Sequence, residues 1–232
     1  AGSLTIKADT LSLLNGSDIF TVTTGPGHGG NVDIQVTGTF LIEGGKPLSS
    51  YPDYKTPGGI TTSPLVADLL GHSQETGPAG SITISAAELI IGQDGEIQSD
   101  SISNAPAGAI SINVGTLEVR DGGQISSTAL KGGAGAEILI NANEKVHIHG
   151  VNPIIKITGS SIAANTIPVG GAGGAVRIDA PIVLIEKGGE ITSDTFDDPD
   201  EIGFGGAAGA IELNVNDLVL RSGGRIDSST MG

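Results

Sequence analysis

Residues 209–230 read Gly-Ala-Ile-Glu-Leu-Asn-Val-Asn-Asp-Leu-Val-Leu-Arg-Ser-Gly-Gly-Arg-Ile-Asp-Ser-Ser-Thr. Counted from Gly209 as zero, apolar residues fall at +2, +4, +9, +11 and +17. A glycine pair stands at +14 and +15, and small hydroxyl residues at +19 and +21. The same register fits from Gly2, Gly30, Gly80, Gly108, Gly135 and Gly174. From Gly108 it gives Ile110, Ile112, Leu117, Val119, Gly122-Gly123, Ile125 and Ser127. From Gly174 it gives Val176, Ile178, Val183, Ile185, Gly188-Gly189, Ile191, Ser193 and Thr195. Gly2 to Gly30 and Gly80 to Gly108 are steps of 28 residues, and Gly108 to Gly135 is 27. The steps after Gly30, Gly135 and Gly174 are longer, which marks insertions. The copy at Gly135 carries one or two extra residues, and the copy at Gly30 loses its register after Gly45.

A fixed period in this range is the signature of a solenoid. Within each unit the apolar spacing is two, in three short runs, which is strand alternation rather than helix. Glycine is abundant, 38 of 232 residues, which disfavours helix and serves turns. A three-strand unit cannot bury its apolar face alone, but stacked units can, each strand pairing in parallel with its equivalent ~4.8 Å away. The expected fold is all-β: a single-stranded right-handed parallel β-helix of about seven coils, the handedness taken from the crossover preference. Strands one and two point Ile, Leu and Val inward. Strand three points in one Ile and then Ser or Thr, whose hydroxyls are expected to bond to one another along the axis.

The composition closes off several classes. No cysteine is present, so neither disulfides nor thiolate metal sites are available. No apolar run reaches 18 residues, so the chain is not expected to be membrane-embedded. A net charge of −15, from 11 basic and 26 acidic residues, disfavours nucleic acid as a partner. No signal peptide is visible, and both ends fall within the pattern without caps, which reads as a segment of a longer chain or a unit that stacks end to end.

One β-helix segment over residues 1–232 is expected, interrupted at about 46–76, 150–160 and 195–206. The first insertion holds four prolines, both tyrosines and Leu65–Leu70, which has the pattern of a helical turn or two. Gly59-Ile60-Thr61-Thr62-Ser63 reads as a displaced third strand.

Candidate sites are few. The outward +10 position of strand two holds Phe40, Ile90, Glu118, His147, Leu184 and Val219, four of them apolar. Either an insertion packs back on this face or it meets a ligand or another solenoid. The +12 row, Arg120, Glu186 and Arg221, reads as a surface charge ladder. Tyr51 and Tyr54 are candidates for a contact surface, offering apolar area with a polar tip. Asp197, Asp198, Asp200 and Glu201 form an acidic loop of the kind that can hold calcium, though the spacing is not that of an EF-hand; a solvated loop is the plainer reading. His147 and His149 face one side of one strand, as zinc or copper ligands would, but no third ligand is evident in the sequence. No nucleophile motif, phosphate loop or cofactor motif is found.

Residues 108–128 and 209–230, with Gly-Ala-Ile-x-Ile/Leu followed by Leu-x-Val/Leu-x-x-Gly-Gly-x-Ile-x-Ser, resemble the repeat region of filamentous haemagglutinin-like exoproteins, in the flavour seen in cyanobacteria. The resemblance implies secretion through a two-partner outer-membrane route and a role in adhesion or surface structure. It also implies a partner that is carbohydrate or protein on a surface, and a location outside the cell or on its outer surface. The Asn-Pro-Asn motifs of that family's secretion domain are absent, since Asn152-Pro153 is followed by Ile154. Three functions remain: a non-enzymatic adhesin rod, a filament whose units stack end to end, and a polysaccharide-degrading β-helix enzyme. The last would need acid and base groups converging from adjacent coils. The outward +3 row offers only Arg177 beside Glu212, which reads as a salt bridge. Outward residues of strand three are too mixed for an ice-binding face.

Overall fold

The computed structural model describes residues 1–23, 26–45, 47–48, 51–55, 57–62, 77–130, 132–153, 156, 158–166, 171–196 and 206–231, with side chains except at 47–48, 51–55, 196 and 231. Among these residues every regular element is a strand, and no helix occurs. The acidic loop 197–201 and the stretch 65–70 lie outside the described residues, as do the side chains of Tyr51 and Tyr54.

Two parallel sheets carry the structure. In the larger, the strands Leu4–Ala8, Val32–Val36, Ile82–Ile91, Ile110–Arg120, Ile138–His149, Val176–Glu186 and Ile211–Arg221 lie side by side in sequence order, with Leu11–Leu14 and Thr39–Glu43 extending the first two. In the smaller, Asp18–Phe20, Gly58–Thr61, Gly95–Gln98, Gln124–Ser126, Ser161–Ala163, Glu190–Thr192 and Arg225–Asp227 follow the same order. Each strand is thus paired with its equivalent one repeat away. The register puts like on like: Ile6, Ile34, Ile84, Ile112, Ile140, Ile178 and Leu213 form one column. Leu11, Phe40, Leu89, Leu117, Val146, Val183 and Leu218 form a second. Ile19, Ile60, Ile97, Ile125, Ile162, Ile191 and Ile226 form a third, on the smaller sheet. The interior members of these columns are almost wholly excluded from solvent.

The first two short strands expected of each unit run together, as in Ile110–Arg120 and Val176–Glu186. A further inward residue explains this. Val36, Ala86, Val114 and Ala180 at +6, and Ala142 opposite Val114 at +7 of its copy, are buried and extend the first run; in Ile82–Ile91, Ile110–Arg120 and Val176–Glu186 two consecutive residues then face outward and the alternation resumes in the other phase. In Ile138–His149 the surplus residue is absorbed as a bulge between Asn141 and Lys145.

The register also corrects one position. Phe40 is not outward: it is 0% exposed and pairs with Leu11 and Leu89. The copy from Gly30 has one residue more before its second strand, so a count of ten lands inside, and Leu41 takes the outward place beside Ile90. The first insertion divides as well. Gly58–Thr61 supplies the third strand, and before it Pro47–Leu48 and Tyr51–Lys55 form an antiparallel hairpin.

The inward hydroxyls do not mainly bond to each other. Ser99, Ser127, Ser193 and Ser228 donate to the carbonyl oxygens of Gly80, Gly108, Gly174 and Gly209 at 2.5, 3.0, 2.5 and 2.7 Å. Each acceptor is the glycine that opens the same unit. The hydroxyl therefore closes the corner between strand three and the next turn, satisfying a carbonyl at a bend where no strand neighbour is available. Thr62 to Ser99, at 2.7 Å, is an axial bond of the expected kind.

The opening glycines are fixed by contact. A Cβ on Gly80, Gly108 or Gly209 would overlap the carbonyl oxygen of Gly30, Gly80 or Gly174 respectively, far inside the 3.0 Å that side-chain carbons keep. In the copy read from Gly135, it is Ala136 that lies beneath Gly174.

Candidate functional site

The outward face of the larger sheet carries the densest arrangement of chemistry-bearing side chains. Parallel pairing makes one row of Leu41, Ile90, Glu118, His147, Leu184 and Val219. The row beside it brings together Arg120, His149, Glu186 and Arg221. Glu43 belongs to this second row two repeats before Arg120. Gly92 stands between with no side chain, and the guanidinium of Arg120 reaches across it to the Glu43 carboxylate.

His147 and His149 alternate with inward Ile148, so both rings leave the same face. They stack with centroids 4.0 Å apart and planes inclined by 24°. Each has a carboxylate from a different neighbouring strand. Glu118 Oε1 lies 2.9 Å from His149 Nε2, and Glu186 Oε1 lies 3.2 Å from His147 Nε2. Glu186 is 4% exposed and accepts from Arg221 Nε at 2.5 Å. That hydrogen bond, first among the causes, holds the Glu186 carboxyl down to about 2, with His147 assisting and burial opposing. Burial, and then the neighbouring charge of His149, hold His147 below the ordinary imidazole value, against the pull of Glu186. Glu118, His147 and His149 each present a ligand atom, all within 4.8 Å of one another.

A carboxylate group lies on the smaller sheet. Glu96 is pushed up to about 7, chiefly by burial and then by the charges of Asp100, Asp94 and Asp18. Asp100 is also raised by burial, opposed by hydrogen bonds that its Oδ1 accepts from Thr128 N and Ser126 Oγ, both at 2.7 Å. The folded protein therefore binds a proton on Glu96 that the unfolded chain releases near 4.5. Stability from this group is complete below that value and is lost as pH rises through about 7. Glu96→Gln is expected to flatten the pH dependence of unfolding between these limits and to gain on the order of 2–3 kcal/mol over the parent above pH 7. Denaturation midpoints of both proteins across this range check it; parallel curves would contradict it.

Of the other sequence candidates, Ile90 and Leu184 are half-buried and Val219 is 41% exposed, so the apolar row is only partly covered by its neighbours. Arg177 and Glu212 form the anticipated exposed ion pair, Nη2 to Oε2 at 2.7 Å. Tyr51 and Tyr54 lie on the hairpin strand Tyr51–Lys55. Among the described residues no helix is long and apolar enough to cross a membrane. The sequence reading missed the link between Glu118 and the two histidines, although Glu118 and His147 share a row. No protein-family model, curated protein or solved structure matches the chain.

Proposed function

We propose that this chain is a right-handed parallel β-helix of seven coils that works as a non-enzymatic rod, a segment of a filamentous haemagglutinin-like adhesin outside the cell or on its outer surface. One observation carries the reading: the aliphatic columns run unbroken from Leu4–Ala8 to Ile211–Arg221, so nearly the whole chain is spent on a stack. Six steps of ~4.8 Å make a rod roughly 30 Å long in its core. Its insertions and outward rows would present contact surfaces to carbohydrate or protein.

A second reading has its own support. The strands of both sheets pair in parallel with their equivalents one repeat away, and the same pairing between copies would continue the columns into a fibre. Electron micrographs of the purified chain separate the two: short isolated rods support the stalk, and fibres that grow from this chain alone support end-to-end self-assembly. The polysaccharide-degrading alternative draws on the Glu96 carboxyl, which sits in the range of a general acid. Chain shortening of a polysaccharide that Glu96→Gln abolishes would replace the rod reading.

A further inference from the structure

We propose that Glu118, His147 and His149 form a divalent transition-metal site, with zinc as its ion, on the outward face of the larger sheet. Two imidazoles and one carboxylate, with the fourth position left to water, are a donor set that zinc accepts. The three residues come from two adjacent strands whose pairing fixes their spacing, Glu118 opposite His147 and Arg120 opposite His149. Rigid elements hold ligands better than loops do.

The geometry is close to what a metal needs. A tetrahedral ion with bonds of about 2.0–2.1 Å sets its ligand atoms roughly 3.4 Å apart. Here the three atoms lie within 4.8 Å, and Glu118 Oε1 and His149 Nε2 are already 2.9 Å apart. Small rotations of the two imidazoles and the carboxylate close the remainder, with no change of backbone. In this arrangement the ion takes the place of the proton between His149 Nε2 and Glu118 Oε1.

Glu186 supplies the supporting contact. Its buried carboxylate holds Nε2 of His147 at 3.2 Å and is itself anchored by Arg221. An imidazole fixed through one nitrogen presents the other in a defined direction, as carboxylate partners do in metalloproteins. The nearby cations do not fill the site. Arg120 is engaged by Glu43 and Arg221 by Glu186, leaving Lys145 as the outward positive charge on the same strand. The side chains of His147 and His149 are 17% and 18% exposed, open enough for an ion to enter from solvent and covered enough to favour direct ligation over hydration.

Titration of chelator-treated protein with zinc, followed by calorimetry, is the test. The parent chain is expected to bind one equivalent. His149→Asn and Glu118→Gln are each expected to weaken it at least about tenfold, and Glu212→Gln, which breaks a distant ion pair, should leave it unchanged. Cobalt as a replacement probe should give the visible absorption of a four-coordinate site in the parent and lose it in His149→Asn. Cooperative melting of each variant without metal separates loss of ligand from loss of fold, and Glu118→Gln, at a half-exposed position, serves if a histidine variant fails to fold. Absence of zinc binding by the folded parent at millimolar zinc would overturn the site, leaving two histidine–carboxylate hydrogen bonds. Undiminished stoichiometric binding by the double variant Glu118→Gln, His149→Asn would overturn it equally.

Discussion

Gly108→Ala is expected to lower stability by on the order of 3 kcal/mol or more, an effect large for the addition of one methyl group. The new Cβ would fall on the carbonyl oxygen of Gly80 and on the hydroxyl of Ser99. The carbonyl is backbone and already accepts from the Thr62 and Ser99 hydroxyls, so it cannot swing aside as a side chain could. The Ser99 hydroxyl is bonded to that same carbonyl at 2.5 Å, so the corner hydrogen bond would be broken along with the close contact. Gly27 provides the internal comparison. It lies in a bend, and only the Thr23 hydroxyl, at 4.0 Å, comes near a Cβ built there. Gly27→Ala should therefore be close to neutral. Denaturant midpoints of the two variants, measured side by side, check the pair of expectations; equal losses would mean that the glycines are not stacked.

The second large effect is expected at Ile185→Ala. Ile185 is fully buried, between Ile148 on one side and Leu220 on the other. Removing its branched side chain leaves a void in a column with no alternative filling, and cavity-forming changes of this kind lose about 2–5 kcal/mol. Ile90, outward on the same sheet and paired on both sides, is only half-buried. Ile90→Ala should lose about 1 kcal/mol, in proportion to the smaller area it withdraws from water. In a strand of this stack the loss depends on which face the side chain takes.

How far the sequence could be read depended on whether the information lay within one unit or between units. Ile84, Ile112, Ile178 and Leu213 fall in one column because strict alternation after each opening glycine leaves no other phase. Ile60 was legible as a displaced third strand for the same reason. Phe40 was not: a single additional residue ahead of the second strand turns every later side chain of that run over, and counting alone does not reveal where the addition is accommodated. Ala86, Ala142 and Ala180 were overlooked because alanine is too small to mark a pattern, yet these residues decide that two runs form one strand. The partner of Ser127 was misjudged because stacking suggests axial bonds, while the unmet need lies in the carbonyl at the corner. Glu118 belongs to one repeat and His147 and His149 to the next, and only the register turns the three into neighbours.

The central claim is that equivalent residues of successive units lie one strand apart, in order, along a single axis. The chain has no cysteine, so paired spin labels can be placed without background. Thr5, Thr83 and Glu212 are exposed members of one row, with Asp33, Ser111, Leu139 and Arg177 between them. Four strand steps separate Thr83 from Glu212 and six separate Thr5 from Glu212, so pulsed electron paramagnetic resonance should give backbone separations of about 19 and 29 Å. Two narrow distributions in that ratio are the predicted result. Equal distances, or broad distributions that ignore the number of intervening strands, would contradict the stack and everything argued from it.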